Sequence, residues 1–394
     1  MLNSLPERPP DKIIRLIQEF RDDPRQHKVD LGVGIYRDQT GNTPVMRAIK
    51  TAEKQLWETE KTKAYTGMVG EAGFRESMTR LVLGEDAPLD RIASATTPGG
   101  TGAIHQALEL VKESSPDARI WVSDPSWPNH RSMAAHLGFT AGFYRYFDRE
   151  SRGVDFESMR EDLSPVTRGD VVILHGCCHN PTGADMDLGQ WSEIAGLLNA
   201  KGAIALVDIA YQGFGAGLEE DAAGLRLLMS QVPEMLVAAS CSKNFGIYRE
   251  RTGVVMALAE DRAAAGSAQA SLTHLNRQNF SFPPDHGARL VSMILADDGL
   301  RADWEAELGD IRDNLGRLRG LLAAELRRRS GSDRFGFVAD HRGMFSLLGA
   351  NPRQVAEIRE KHGIYMVGDG RVNMAGLSEQ TVPVLADALV AAGV

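Results

Sequence analysis

The segment GAIALVDIAYQGFG (202–215) decides the fold class. Its first half is an unbroken run of mostly apolar residues, which is typical of a strand that is buried on both faces. Similar runs, bounded by turn residues, occur on both sides of it: RIASATTP (91–98), ARIWVSDP (118–125), GFYRYFD (142–148), DVVILHG (170–176), MLVAASCS (235–242) and GVVMALAE (253–260). Helix-like segments such as TGAIHQALELVKES and LGQWSEIAGLLNAKG separate several of these runs. This alternation predicts an α/β domain with a mostly parallel sheet that is covered by helices.

The C-terminal part of the chain follows a different pattern. Residues 300–330 carry a charged amphipathic sequence that predicts one long helix. The segments FGFVAD (335–340), MFSLLG (344–349) and GIYMVG (363–368) predict short strands, and LADALVAAGV (385–394) predicts a closing helix. We therefore expect three parts: an N-terminal arm (residues 1–11), a smaller α+β domain (residues 12–44 and 311–394) and a large domain (residues 45–310).

Composition excludes several classes of partner. The 394 residues include 43% hydrophobic and 25% charged residues, with a formal net charge of -9. An acidic chain without a Lys/Arg stripe does not favour nucleic-acid binding. No segment approaches the ~20 apolar residues of a membrane span, and the N-terminus lacks the apolar core of a signal peptide. With only three cysteines, two of them adjacent, we expect no disulfide framework and a cytoplasmic protein.

Two groups of residues lie at the ends of predicted strands, where ligands bind in sheets of this kind. TTPGGTGA (96–103) places Gly100 and Thr101 at the start of a helix, which suits a phosphate group, although a simple strand–helix turn has the same pattern. Asp208 ends the most apolar strand, and its carboxylate needs a partner if it is buried. It could equally be a helix cap or form a salt bridge. Tyr211 follows it and could share its pocket or belong to the core.

The segment SCSKNFGIYRERTG (240–253) places Lys243 just after the next strand. A lone lysine is usually a solvated loop residue, but Ser240, Ser242 and Arg251 around it would suit a phosphate dianion. Pyridoxal 5′-phosphate needs a lysine for its aldehyde, an acidic partner for its ring nitrogen and a cradle for its phosphate. Together with Asp208 and the glycine loop, these residues predict a pyridoxal 5′-phosphate site.

The segment HGCCHNPTG (175–183) raises the alternative of a metal site. Four residues that could bind zinc crowd into five positions, whereas structural zinc sites use spaced pairs of ligands. In an extended chain Cys178 would also point away from its neighbours. We therefore expect no metal, and we read Asn180 as free to point into the site.

Taken in order, several motifs resemble those of fold-type I pyridoxal-phosphate enzymes, and specifically the aspartate/aromatic subgroup of class I aminotransferases. They are LGVGIYRDQTGNTPV, KAYTGMVG, TPGGTGA, SDPSWPNH, LHGCCHNPTG, DIAYQGFG, SCSKNFGIYRERTG, NRQNFSFPP and GRVNMAGL. The similarity covers essentially the whole chain and is greatest to the bacterial aromatic-amino-acid members of the subgroup.

This resemblance implies roles for residues around the cofactor ring. Lys243 would bind the cofactor covalently and then move the substrate α-proton. Asp208 would pair with the ring nitrogen, with His130 behind it. Tyr211 and Asn180 would hydrogen-bond the phenolic oxygen.

The resemblance also implies how the phosphate and the ring face are held. Trp127 would stack on the ring and face the substrate. Tyr65 would reach the phosphate from the other subunit, which implies a homodimer with shared active sites. The remaining phosphate ligands would be Gly100, Thr101, Ser240, Ser242 and Arg251.

For the substrate, the resemblance implies that Arg371 clamps the α-carboxylate. A planar guanidinium suits this bidentate contact better than lysine. Asn180 and the backbone at Gly34 would assist, and Phe345 would pack beside the clamp.

Substrate choice depends on two further positions. Arg277 matches the family arginine that crosses the dimer interface to bind a distal carboxylate. Phe282 stands where aspartate-specific relatives usually carry asparagine, and it would admit aromatic side chains if Arg277 swings away rather than leaving a buried unpaired charge.

We therefore expect a ping-pong aminotransferase that moves the amino group of aromatic (Tyr, Phe, Trp) and dicarboxylic (Asp, Glu) amino acids to 2-oxoglutarate. The alternatives are a strict aspartate aminotransferase, a lyase or decarboxylase that uses the same cofactor, and a non-catalytic protein built on this fold. The paired arginines favour exchange between acidic substrates over lyase chemistry, and the retained Lys243 and Asp208 disfavour a non-catalytic protein. A Rossmann oxidoreductase is disfavoured because the chain lacks the glycine fingerprint of that class.

Overall fold

The chain folds into two units in the computed structural model, which describes residues 2–7 and 11–394. The large unit spans Pro44–Asn314, and the small unit combines Met1–Thr43 with Leu315–Val394. Residues 1 and 8–10 of the predicted arm lie outside the described residues. The three-part division into arm, small domain and large domain stays a prediction.

Strands and helices alternate along most of the described chain. The strands are β1 (Val29–Asp30), β2 (Ile92–Pro98), β3 (Arg119–Asp124), β4 (Thr140–Arg145), β5 (Val171–His175), β6 (Ile204–Ile209), β7 (Met235–Ser240), β8 (Thr252–Leu258), β9 (Phe345–Leu347), β10 (Ile364–Tyr365) and β11 (Arg371–Asn373). The helices are α1 (Lys12–Asp22), α2 (Arg47–Thr59), α3 (Ala72–Leu83), α4 (Gly99–Ser114), α5 (Pro128–His136), α6 (Phe156–Asp162), α7 (Leu188–Lys201), α8 (Leu218–Gln231), α9 (Arg262–Asn279), α10 (His286–Ala296), α11 (Asp298–Ser330), α12 (Phe337–Asp340), α13 (Pro352–His362) and α14 (Thr381–Ala391).

A seven-stranded sheet forms the centre of the large unit, in the order β2-β8-β7-β6-β5-β3-β4. Only β8 runs antiparallel to its neighbours, and the remaining pairs are parallel. Every residue of β7 and β8 is buried, as expected for strands that are covered on both faces. Helix α4 and the sheet share an apolar core of alanine, valine, isoleucine and leucine. The predicted mostly parallel, helix-covered sheet is thus confirmed.

Strand register brings two polar side chains together at the carboxyl end of this sheet. His175 of β5 lies directly opposite Asp208 of β6 in a parallel pair. Because residues opposite each other in a sheet point to the same face, the two side chains share one surface. This edge of the sheet carries the candidate site.

The small unit contains two short sheets. Strand β9 pairs antiparallel with β11, and β1 pairs parallel with β10. The prediction of a strand at residues 335–340 is wrong, because Phe337–Asp340 is a helical turn. The N–H groups of Val338 and Ala339 donate to carbonyl oxygens three residues earlier, within this turn, and not to a neighbouring strand.

None of the helices in the described ranges combines the length and the apolar character that crossing a bilayer requires.

Arg319 of α11 is a fully buried cation in the small unit, with 2% of its surface exposed. Its guanidinium donates to the carbonyl oxygens of Gly343 and Phe345 and to the Ser346 hydroxyl, at 2.7–2.8 Å for the shortest contact to each. It therefore holds β9 against the helix. Arg319→Leu removes these donors and leaves buried acceptors unsatisfied, which should lower the free energy of unfolding by at least about 3 kcal/mol.

Urea denaturation of both proteins measures this loss. The control is Arg328→Leu, on the same helix, where the side chain is 65% exposed and pairs with Glu325. That change should cost less than about 1 kcal/mol. Equal effects of the two substitutions would contradict the role assigned to Arg319.

Candidate active site

Asp208 lies at the carboxyl end of β6 with 9% of its surface exposed. His130 of α5 is wholly buried, and its Nε2 lies 2.9 Å from Asp208 Oδ2. Burial pushes the pKa of Asp208 upward, but the hydrogen bond from His130 and the surrounding positive charge outweigh it and hold the pKa below its usual range. Asp208 is therefore an ionised carboxylate inside the protein, ready to pair with a cation.

Ser126 and His175 extend this pair into a chain of polar groups, which was not predicted from the sequence. Ser126 Oγ lies 3.1 Å from His130 Nδ1 and 3.2 Å from His175 Nε2, so that one hydroxyl bridges both imidazoles. The His130 and His175 rings meet edge to face at 5.0 Å. Burial lowers the pKa of His175 to about 3, with a smaller contribution from His130. The position of His175 at a strand end, like that of Asp208, was the signal that could have identified it.

The depressed pKa of His175 predicts a loss of stability in acid. The unfolded chain takes up a proton near pH 6.5, whereas the folded protein does so only near pH 3. Stability from this residue is therefore fully present above pH 6.5 and is lost as the pH falls, by roughly 2 kcal/mol at pH 5. His175→Gln should lose correspondingly less stability between pH 7 and pH 5, as measured by urea denaturation.

An exposed histidine, His274, offers the matched control for that experiment. His274→Gln should lose stability between pH 7 and pH 5 as the unaltered protein does. An identical pH response of His175→Gln would contradict the assigned origin of the acid sensitivity.

Lys243 follows β7 and is half-buried. Its Nζ lies 5.1 Å from the centre of the Tyr211 ring. Burial lowers the pKa of the Lys243 amine, Arg251 lowers it further, and the charge of Asp208 opposes both. A lysine with a lowered pKa carries more of the neutral, nucleophilic amine near pH 7 than an ordinary lysine does.

The loop after Lys243 is fixed by a tryptophan far along the chain. Trp304 Nε1 donates to the carbonyl oxygen of Asn244 at 2.7 Å, and the Trp304 ring stacks on Phe245 with centroids 4.4 Å apart. Trp304 lies in the segment that was predicted to be a long helix, and no pattern in the sequence indicated this contact. Its contacts hold the position of the lysine.

The glycine loop at the start of α4 closely approaches the loops that flank β7 and β8. Gly99 has φ +71°, and a Cβ at this position would lie 2.6 Å from Arg251 Nη2. A Cβ at Gly100 would lie 3.0 Å from Ser240 Cβ. Arg251 Nη1 also lies 3.4 Å from Ser242 Oγ. The start of the helix, two serine side chains and the Arg251 guanidinium therefore lie close together, with Thr101 exposed in the first turn of the helix.

Trp127 and Asn180 lie beside the histidine pair. The Trp127 ring meets His130 edge to face at 5.2 Å. Asn180 is buried, and its backbone N–H lies 3.4 Å from His175 Nδ1. Both residues thus lie beside the groups that surround Asp208.

The prediction that Cys178 points away from its neighbours is wrong. Cys178 has φ +52°, so the chain is not extended there. Ligand atoms of Cys177, Cys178 and Asp221 lie within 4.8 Å of one another in the described structure. The Asp221 carboxylate already accepts hydrogen bonds from the backbone N–H groups of Gly213, Gly215 and Ala216, each at 2.8 Å. All three cysteines of the chain are buried free thiols.

The residues that were predicted to clamp the substrate carboxylate lie in the small unit. Arg371 at the start of β11 is buried, and its Nη2 donates to the carbonyl oxygen of Gly32 at 3.0 Å. Its guanidinium lies 4.3 Å from the centre of the Phe345 ring. A Cβ at Gly34 would lie 2.7 Å from Phe345 Cζ, so a larger residue there would have to displace the Phe345 ring. The structure brings Arg371, Phe345 and Gly34 together as the sequence predicted.

Tyr65, Arg277 and Phe282 form a separate cluster on the large unit. Tyr65 is 84% exposed, and its ring stacks on Phe282 at 4.6 Å with an interplanar angle of 13°. Arg277 is exposed, and its Nη1 donates to Ser281 Oγ at 2.7 Å. Tyr65 and Arg277 are exposed within the single chain, whereas Phe282 is partly buried.

Comparison with known proteins identifies the family of the chain. The model of the family "Aminotransferase class I and II" matches residues 26–389. The chain belongs to this aminotransferase family. It is 58% identical over 394 residues to the aromatic-amino-acid aminotransferase of Paracoccus denitrificans, with 100% of both chains covered. It is 43% identical over 394 residues to the aspartate aminotransferase of Salmonella typhi, with 99% of this chain and 100% of the relative covered.

A solved structure of an aminotransferase has the same fold. The aromatic-amino-acid aminotransferase from Burkholderia pseudomallei, covalently bound to pyridoxal phosphate, matches with a TM-score of 0.97 at 37% identity, covering 100% of this chain and 99% of that one. The predicted family, its fold-type I architecture and its enzyme class are therefore confirmed. This aminotransferase transfers amino groups.

Proposed function

We propose that this aminotransferase moves the amino group of aromatic and dicarboxylic amino acids to 2-oxoglutarate in a ping-pong reaction that uses pyridoxal 5′-phosphate. The observation that carries the chemistry is the buried Asp208–His130 pair in the same group as the Lys243 amine of lowered pKa. The 58% identity to an aromatic-amino-acid aminotransferase, together with the Phe282 ring, supports aromatic substrates over strict use of aspartate.

The residues present fit this cofactor. A carboxylate that stays ionised, an amine that is partly neutral and a cradle that a Cβ would fill match its ring nitrogen, its aldehyde and its phosphate. When bound, the cofactor supplies an aldehyde that condenses with amines and a ring that accepts electrons from the substrate α-carbon. The phosphate ligands in this proposal are Gly100, Thr101, Ser240, Ser242 and Arg251, with Tyr65 from the second subunit.

The proposal assigns proton handling to two side chains. Lys243 Nζ accepts the substrate α-proton and returns it, because its lowered pKa lets it work as a base near neutral pH. Asp208 Oδ2, held by His130, keeps a negative charge against the ring nitrogen. Tyr211 and Asn180 would hydrogen-bond the phenolic oxygen, and Trp127 would cover the ring face.

Substrate binding is assigned to two arginines. Arg371 binds the α-carboxylate through its planar guanidinium, assisted by Asn180 and Gly34, with Phe345 packed against it. Arg277 binds the distal carboxylate of dicarboxylic substrates and moves aside for aromatic ones. A homodimer with shared sites follows from the roles of Tyr65 and Arg277, and the three free thiols favour the cytoplasm.

Steady-state kinetics test the proposed substrates. With 2-oxoglutarate as acceptor, phenylalanine, tyrosine and aspartate should each support turnover, and double-reciprocal plots at several acceptor concentrations should be parallel. Turnover with aspartate alone would replace the proposal with a strict aspartate aminotransferase. Intersecting plots would contradict the ping-pong order.

A further inference from the structure

We propose that Phe282 is a positioning residue for Tyr65, so that one side chain governs both the preference for aromatic substrates and the retention of the cofactor. This inference rests on the proposed function, which gives Tyr65 a hydroxyl contact to the cofactor phosphate. It concerns two segments of the large unit, the Tyr65 loop (residues 65–70) and the α9 hook (residues 276–283).

The stacked pair is the first observation. The Tyr65 ring lies 4.6 Å from the Phe282 ring at 13°, although 84% of the surface of Tyr65 is exposed. This exposure is that of the single chain, since the proposed phosphate contact of Tyr65 is with the second subunit, and within its own chain the stacking contact orients the ring. Stacking restricts the ring to one orientation and so holds its hydroxyl in one direction.

The two segments are also joined below the rings. Asn276 is fully buried, and its Nδ2 donates to the carbonyl oxygen of Met68 at 2.8 Å and to that of Thr96 at 3.2 Å. The N–H of Thr96 donates in turn to the carbonyl oxygen of Val69 at 2.9 Å. Hydrogen bonds therefore fix the backbone of the Tyr65 loop relative to the α9 hook and to strand β2.

The hook itself is shaped to present both side chains that determine substrate choice. Ser281 adopts φ +68°, and its N–H donates to the carbonyl oxygen of Asn276 at 2.9 Å, which turns the chain sharply at the end of α9. This turn directs the Ser281 hydroxyl to Arg277 and is followed by the Phe282 ring on Tyr65. Tyr65, which is proposed to contact the phosphate, is thus connected to Arg277 and Phe282, which are proposed to determine substrate choice.

As a consequence, a substitution of Phe282 that changes substrate preference should also change how tightly pyridoxal 5′-phosphate is retained. Asparagine, which aspartate-specific relatives usually carry there, has no ring to stack on Tyr65. We expect Phe282→Asn to lower the ratio of phenylalanine to aspartate turnover and also to weaken the binding of pyridoxal 5′-phosphate roughly two- to tenfold, the range that one aromatic pair contributes.

The test measures release of pyridoxal 5′-phosphate from the diluted holoenzyme by absorbance, at several concentrations of added cofactor. Phe282→Tyr keeps the ring and should retain the cofactor as the unaltered protein does. Tyr65→Leu should bind it more weakly, and Tyr65→Leu/Phe282→Asn should bind it no more weakly than Tyr65→Leu alone. Phe143 is an exposed phenylalanine on β4, so Phe143→Asn is the matched control and should not change cofactor retention.

Three results would overturn the inference. They are unchanged cofactor retention in Phe282→Asn, unchanged retention in Tyr65→Leu, and effects that add fully in the double variant. Each would leave the proposed transamination standing if the unaltered protein binds the cofactor and transaminates phenylalanine, although unchanged retention in Tyr65→Leu would also remove Tyr65 from the proposed phosphate ligands. A chain that binds no pyridoxal 5′-phosphate at all would overturn the proposed function as well.

Discussion

Replacing Lys243 with alanine should lower the kcat for transamination by at least about 10⁴-fold. Under the proposed function, the variant lacks both the amine that would hold the cofactor and the base that would move the α-proton. The loop around it should remain folded, because Trp304 and Phe245 anchor it independently of the lysine side chain. Steady-state turnover of aspartate and of phenylalanine with 2-oxoglutarate measures the loss.

A surface lysine provides the comparison for this variant. Lys361 is 67% exposed on its side chain and pairs with Glu357, and Lys361→Ala should leave turnover unchanged. If Lys243→Ala still turned over both substrates at a rate near that of the unaltered protein, the assignment of Lys243 as the reacting amine would be wrong.

The second large effect is expected from Asp208→Asn. Asparagine preserves the shape of the side chain but removes the negative charge that His130 contacts at 2.9 Å. In the proposed function this charge would face the ring nitrogen. A lost charge at a buried site that stabilises developing charge typically lowers kcat by about 10²–10³-fold. The loss should appear in kcat with both donors, because Asp208 acts on the cofactor and contacts neither substrate side chain.

Two further variants, Asp208→Glu and Asp387→Asn, separate the loss of charge at Asp208 from a general effect of removing a carboxylate. Glutamate keeps the charge and should recover part of the lost turnover, which a merely structural role for Asp208 would not predict. Asp387 is an exposed partner of Arg329, and its substitution should be silent. A loss confined to KM, with kcat unchanged, would contradict the role of Asp208.

Much of the sheet and of its site was predictable because the responsible signals are local. The apolar runs around Val207, Ile173 and Val237 mark strands buried on both faces, and their ends mark the place for ligands. Asp208 and Lys243 therefore stood out as polar residues next to buried strands. Their proximity to each other followed from the order of the strands.

Contacts between distant segments were not predictable in the same way. Ser126 bridges two histidines only because β3 and β5 are neighbours in the sheet, and no spacing along the chain records this. The left-handed backbone of Cys178 and the local turns at Phe337–Asp340 replaced the extended chain that their apolar residues suggested. Stacking of Tyr65 on Phe282 joins residues more than 200 positions apart in sequence.

The half-reaction of the purified protein, without any acceptor, is the decisive experiment for the proposed transamination. The holoenzyme should be yellow, and phenylalanine and aspartate, added separately, should each convert its absorption to that of the aminated cofactor. Adding 2-oxoglutarate should then restore the original spectrum in both cases. A colourless protein, or a spectrum that neither amino acid changes, would contradict the proposed function.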